Sequence, residues 1–121
     1  MRIFTAAILL AAAGCGGGSA LYLDTDVYDV PGFRLLSAKE VQMSGQLMHS
    51  GTLEYSGSAD IKQIFAEYVE SMKGVGWVTA NVDVQGDRAI GTLRKDNRTC
   101  TLEFVKSGGG TRAVIKVGTT K

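Results

Sequence analysis

Val78-Thr79-Ala80-Asn81-Val82-Asp83-Val84-Gln85-Gly86-Asp87-Arg88-Ala89-Ile90-Gly91-Thr92-Leu93-Arg94 alternates side-chain character on either side of one turn signal. A period of two is the mark of a strand with one buried face. Val78, Ala80, Val82 and Val84 form one row, against Thr79, Asn81 and Asp83. Gly86-Asp87 is a tight hairpin signal. Beyond it, Ala89, Gly91 and Leu93 point one way and Arg88, Ile90, Thr92 and Arg94 the other. The stretch therefore predicts two antiparallel strands, and the pattern continues on both sides.

Toward the carboxyl end, Asp96-Asn97 gives a second hairpin turn. Cys100, Leu102 and Phe104 form the next inward row. Gly108-Gly109-Gly110 is a looser turn, and Ala113, Ile115 and Val117 alternate with Arg112, Val114 and Lys116. Short turns between successive alternating strands imply an antiparallel sheet with one buried face. The opposite face carries Arg88, Arg94, Thr99, Thr101, Glu103, Arg112 and Lys116.

Toward the amino end comes a helix. Ile61, Ile64, Phe65, Tyr68 and Met72 recur at the helical interval and make one apolar stripe. Ser58 is read as the N-cap, with Asp60 in the first turn. Gly74 and Gly76 can end the helix in a left-handed cap, and Trp77 follows, placed to cover that end. Before the helix, Leu47, His49, Gly51, Leu53 and Tyr55 share one strand face. Phe33, Leu35, Val41 and Met43 share another, interrupted by Ser37 and Lys39, which predicts a bulge or an exposed end. Pro31-Gly32 is a turn.

The expected fold is α+β: a single antiparallel β-sheet, order β-β-α-β-β-β-β, with one amphipathic helix packed on one face. One-helix sheets of the helix-grip kind have this look. The run from the helix through Gly76-Trp77 into a strand resembles small domains of envelope lipoproteins, including one in the outer-membrane β-barrel assembly machinery. That resemblance implies topology, not function.

The start of the chain speaks to location. Arg2 precedes an apolar run from Ile3 to Ala13, broken by Thr5, and Gly14 and Cys15 follow. The run is short of the roughly 20 apolar residues a spanning helix needs and has the parts of a secretory leader. Leu9-Leu10-Ala11-Ala12-Ala13-Gly14-Cys15 resembles the lipobox of bacterial lipoproteins, with Ala12 where that family usually has Leu, Val or Ile. The resemblance implies cleavage before Cys15 and acylation of its thiol, with palmitate among the chains expected. Two or three acyl chains anchor firmly where one holds only marginally. Gly16-Gly17-Gly18-Ser19 reads as a flexible tether. Gly16, rather than Asp, after the cysteine implies the outer membrane, facing the periplasm, in a Gram-negative host. The expected organisation is a signal peptide over 1–14, a lipidated cysteine and tether over 15–30, and one domain over 31–121.

Net charge is +1, which supplies no global field toward nucleic acid or lipid. The distribution is uneven. Residues 24–85 hold nine acidic and four basic side chains, and residues 86–121 hold three and eight. With Cys15 lipidated, Cys100 has no disulfide partner and reads as a buried, inert thiol; the weaker reading is a redox thiol, with Arg98 nearby. His49 is the sole histidine, and no nucleophile-elbow pattern accompanies it. Its parity predicts a half-buried structural role. Met43, Met48 and His49 are poor copper ligands, because Met48 and His49 point to opposite faces. Glu67 and Glu70 read as solvated neighbours on the helix. No zinc spacing, phosphate loop or dinucleotide fingerprint is present, so no cofactor is expected. No aromatic residues interleave with the cations, which argues against nucleic acid.

Two functional readings follow. The first is a lipid-anchored, non-catalytic envelope module. It would contact another envelope protein or a cell-wall component through an edge strand or the face carrying Arg88, Arg94, Arg112 and Lys116. The second is a small-ligand or metal binder using the hollow between helix and sheet, with Tyr55, Tyr68, Trp77 and His49 as lining residues.

Overall fold

A computed structural model describes residues 21–119. It contains strands β1 (Arg34–Ser44) and β2 (Leu47–Gly57), helix α1 (Ile61–Lys73), and strands β3 (Val78–Val84), β4 (Arg88–Lys95), β5 (Arg98–Ser107) and β6 (Gly110–Thr119). The six strands form one antiparallel sheet in the order β1-β2-β6-β5-β4-β3. The fold is thus the expected α+β arrangement, with β1 and β3 at the open edges. The expected leader, the expected lipidation site Cys15 and the expected glycine tether lie outside the described residues.

The inner face follows from the alternation. Ala89 and Leu93, then Cys100, Leu102 and Phe104, then Ala113, Ile115 and Val117 are all buried. Helix α1 lies over β3, β4 and β5 and buries Ile61, Ile64, Phe65, Tyr68, Val69 and Met72. Phe65 meets Phe104 edge-on at 5.5 Å between ring centroids. Gly91 makes that approach possible, since a Cβ there would stand 2.9 Å from the tip of the Phe65 ring.

The helix ends differ in one detail from expectation. Asp60, not Ser58, is the N-cap, and its carboxylate accepts a hydrogen bond from the Gln63 amide at 3.1 Å. Ser58 sits two residues too early to reach an unpaired amide of the first turn. At the far end Gly76 takes the left-handed conformation, with φ of 104°. The Trp77 amide donates back to Met72 O and the Gly76 amide to Lys73 O, each at 3.1 Å. These two bonds satisfy carbonyls the helix leaves open, and Trp77 packs beneath the cap.

Two irregular regions overturn details of the alternation. In β3 the register slips at Ala80, so Thr79 pairs with Leu93 while Val82 and Val84 pair with Gly91 and Ala89. Val78 therefore falls on the outer face with Arg94, and the valines do not form one row. Between β1 and β2 the register shifts at three places. One of these places Met48 inward and His49 outward. His49 is exposed and Met48 fully buried, which corrects the expected half-buried histidine.

Residues 21–30, expected as the end of the tether, are part of the domain. A short 3-10 turn, Tyr22–Asp24, opens the segment. Thr25, Asp26, Val27 and Val30 are buried. The Tyr68 hydroxyl donates to Tyr28 O at 2.6 Å, and the Tyr55 hydroxyl donates to Asp29 Oδ1. The segment lies beside α1 and reaches β2, so helix and segment together roof the sheet. Val30-Pro31-Gly32-Phe33 then turns the chain into β1. The Phe33 amide donates to Val30 O at 3.1 Å, and Gly32 supplies the positive φ that a type II turn demands.

Candidate functional site

The inner and outer faces of the sheet place very different chemistry. At one end of the roof, Asp26 is gripped by two cations. Arg98 approaches it in bidentate fashion, at 3.0 Å from Nη1 to Oδ1 and 2.7 Å from Nη2 to Oδ2. Lys95 Nζ stands 2.9 Å from Oδ2 and also donates to Val75 O at 2.6 Å. The Arg98 guanidinium lies 5.0 Å from the centre of the Trp77 ring and donates to Met48 O. The Trp77 indole donates to Asp26 O at 2.7 Å. Burial pushes the Asp26 carboxyl upward, but the hydrogen bonds from Arg98 and Lys95 outweigh it and hold its pKa below the ordinary value. Its partner responds in the opposite sense: the bond to Asp26 raises Arg98 against burial.

This cluster went unread in the sequence. The available signal was Arg98 itself, which shares its parity with Cys100, Leu102 and Phe104. An arginine in an inward row needs a carboxylate. Both carboxylate oxygens of Asp26, both terminal nitrogens of Arg98, Lys95 Nζ and the Trp77 indole N–H are engaged by other parts of the chain, so the chemistry of the cluster is that of a clamp. It fixes residues 21–30 to β5, β2 and the end of α1.

The ligand hollow proposed from sequence does not assemble. Tyr55, Tyr68 and Trp77 are buried, with their polar tips committed to Asp29, Tyr28 O and Asp26 O, and His49 is on the surface. Burial raises the Tyr68 and Tyr55 hydroxyls well above their ordinary value, with Asp29 adding to the effect on Tyr55. Among these four, Tyr55 borders an open hollow of about 410 Å³, shared with Leu23, Asp29, Pro31, Phe33 and Leu35. Met43 and His49 are exposed while Met48 is buried. Among the described residues no group of three or more His, Cys, Asp or Glu converges on a metal position.

Cys100 is fully buried, and burial pushes its thiol up to about 12, with Asp26 adding to the rise and Arg98 opposing it. The thiolate is the reacting species, so the folded protein should leave Cys100 unlabelled by iodoacetamide at pH 8. Mass spectrometry should show full labelling once it is unfolded. Rapid labelling of the folded chain would return Cys100 to the list of reactive groups.

The outer face carries the other candidate residues, and cross-strand register arranges them in rows. Arg34, Ser56, Arg112, Val105 and Arg88 follow one another from β1 to β4. The next row holds Glu54, Val114, Glu103, Ile90 and Asp83, and the one after it Lys39, Thr52, Lys116, Thr101 and Thr92. Arg94 lies beyond, beside Thr99 and Val78. The four cations singled out from sequence thus share one face but not one continuous patch. An acidic row separates Arg88 and Arg112 from Lys116 and Arg94, and Arg88 pairs with Glu103 at 3.4 Å. Sequence alternation put all of them on one side; only the register shows the stripes.

Among the described residues no helix is long and apolar enough to cross a membrane. Comparison with known proteins finds no matching family model, no matching curated protein and no matching solved structure.

Proposed function

We propose that this is a lipid-anchored, non-catalytic module of a bacterial envelope, held through Cys15 on the exported side of the membrane. Its outer sheet face would contact another envelope protein or a cell-wall polymer. The observation that carries the binding reading is the asymmetry of the sheet. One face is roofed by α1 and residues 21–30, with its polar groups paired inside. The other stays open from β1 to β4 and presents charge in stripes. Stripes of alternating sign favour a partner with matching rows over an unstructured polyanion, because complementary charge mainly sets register and excludes wrong partners. The lipobox resemblance supports the location.

Co-purification of the full-length protein from its own membranes tests this reading. A partner captured by the wild type should be lost, by about tenfold or more, from the Arg88→Gln/Arg94→Gln/Arg112→Gln/Lys116→Gln variant. Equal capture by both would remove the face from the account. No reproducible partner would count against the binding module as a whole.

A further inference from the structure

The two edges of the sheet are built differently. β1 breaks its register three times and carries Arg34, Lys39 and Glu40, features that discourage edge pairing. β3 breaks its register once, at Ala80, is exposed along all seven residues and has a single charged side chain, Asp83. On the inner side Val82 and Val84 remain 42% and 40% exposed. With Phe65, Ala66 and Val69 of α1 they line an apolar hollow of about 220 Å³, rimmed by Lys62 and Glu70.

The rim has a symmetry of its own. Lys62, Ala66 and Glu70 stand at one-turn intervals along the helix flank above β3. A two-fold axis near Ala66 sets Lys62 of one helix against Glu70 of an antiparallel copy, twice, with the small Ala66 at the crossing. Val82 lines the same hollow, and an axis there pairs β3 with the β3 of the copy. Val82 then faces Val82, Asn81 faces Asp83, and Ala80 faces Val84. No like charges meet, and the exposed valines become interior. Glu70 is now held by Lys73 at 3.2 Å, an exposed pair that exchanges partners at little cost. One operation makes both the strand and the helix flank self-complementary, as an isologous interface requires.

We infer that the β3–α1 edge binds a second copy of this chain, joining two sheets across a two-fold axis. The inference is independent of the lipid anchor and of the outer face.

Charge exchange in the full-length protein tests it. Lys62→Glu and Glu70→Lys each place two like-charge pairs across the axis. Each alone should self-associate roughly tenfold more weakly than the wild type in sedimentation experiments. Mixed together they are complementary, and association should return to wild-type strength. Both positions are exposed, so circular dichroism should be unchanged. Val82→Cys reads the register: mild oxidation should give a disulfide-linked dimer beyond the wild-type background, and Val84→Cys should not. A wild type that stays monomeric at hundreds of micromolar overturns the inference, as do single variants that associate equally well alone and mixed. Equal cross-linking at positions 82 and 84 overturns the pairing about Val82.

Discussion

Asp26→Ala should lower the unfolding free energy by about 3–5 kcal/mol, the cost of leaving a buried ion without its partner. The variant leaves Arg98, whose side chain is 4% exposed, beneath the indole of Trp77 with the exposed Asp96, 3.8 Å away, as its remaining carboxylate. It also loosens the segment that closes the inner face, because Asp26 is the residue through which Arg98 and Lys95 hold it. Arg98→Met should cost less, since Lys95 remains 2.9 Å from the carboxylate and the methionine still covers Trp77. The double variant Asp26→Leu/Arg98→Met should be more stable than the sum of the two losses, as neither charge is then left alone. Urea unfolding followed by circular dichroism measures all three. An Asp26→Ala loss below about 1 kcal/mol would show that the clamp is not what secures residues 21–30.

The same pair gives the protein a signed response to acid. The folded pKa of Asp26 lies below its unfolded value of 3.8. Its contribution is therefore present in full above the unfolded value and fades as pH falls through the lower folded one. Stability of the wild type should decline below about pH 4 more steeply than that of Asp26→Asn, which has no proton to take up.

What could be read in the sequence, and what could not, divides along a physical line. Rows such as Cys100-Leu102-Phe104 and the helix stripe are local periodicities, and they are buried as read. A bulge shows at most as a break in such a row: Ser37 and Lys39 marked the irregular β1, but no break marked the slips in β3 and β2. The slip at Ala80 turned Val78 outward, and the shift at His49, between the Gln42–Ser50 and Met43–Met48 pairs, exchanged Met48 for His49. Residues 21–30 were misread for another reason. Their acids and tyrosines look like a polar tether, yet Asp29, Tyr28, Asp26 O and the Asp26 carboxylate find partners 26, 40, 51 and 72 residues away. A polar side chain whose partner is that distant cannot be told from a solvated one by composition. The outer-face cations sit between these cases: alternation placed them on one side, and only pairing across strands revealed the acidic row dividing them.

Cys15→Ala should abolish acylation and shift the protein from the membrane to a soluble or uncleaved form, with the domain still folded. The effect is expected to be nearly complete because of its source. Each buried methylene of an acyl chain contributes about 0.8 kcal/mol to anchoring, more over two or three chains than surface charges on this domain could replace. The domain survives because its closure begins at Leu21, bridged to Tyr28, and none of the described contacts needs the cysteine. Labelled palmitate, membrane fractionation and circular dichroism read the three parts separately. Label entering the variant would contradict acylation at Cys15, and an unfolded released domain would contradict the independence of the fold. The clamp also bears on the proposed anchor. With residues 21–30 held to the sheet, five residues lie between Cys15 and Leu21, a reach of about 20 Å at full extension. A tether running free to residue 30 would have reached more than twice as far. On the proposed anchoring through Cys15, the ion pair at Asp26 would limit how far the domain can stand from the membrane, and the Cys15→Ala variant tests the anchoring itself.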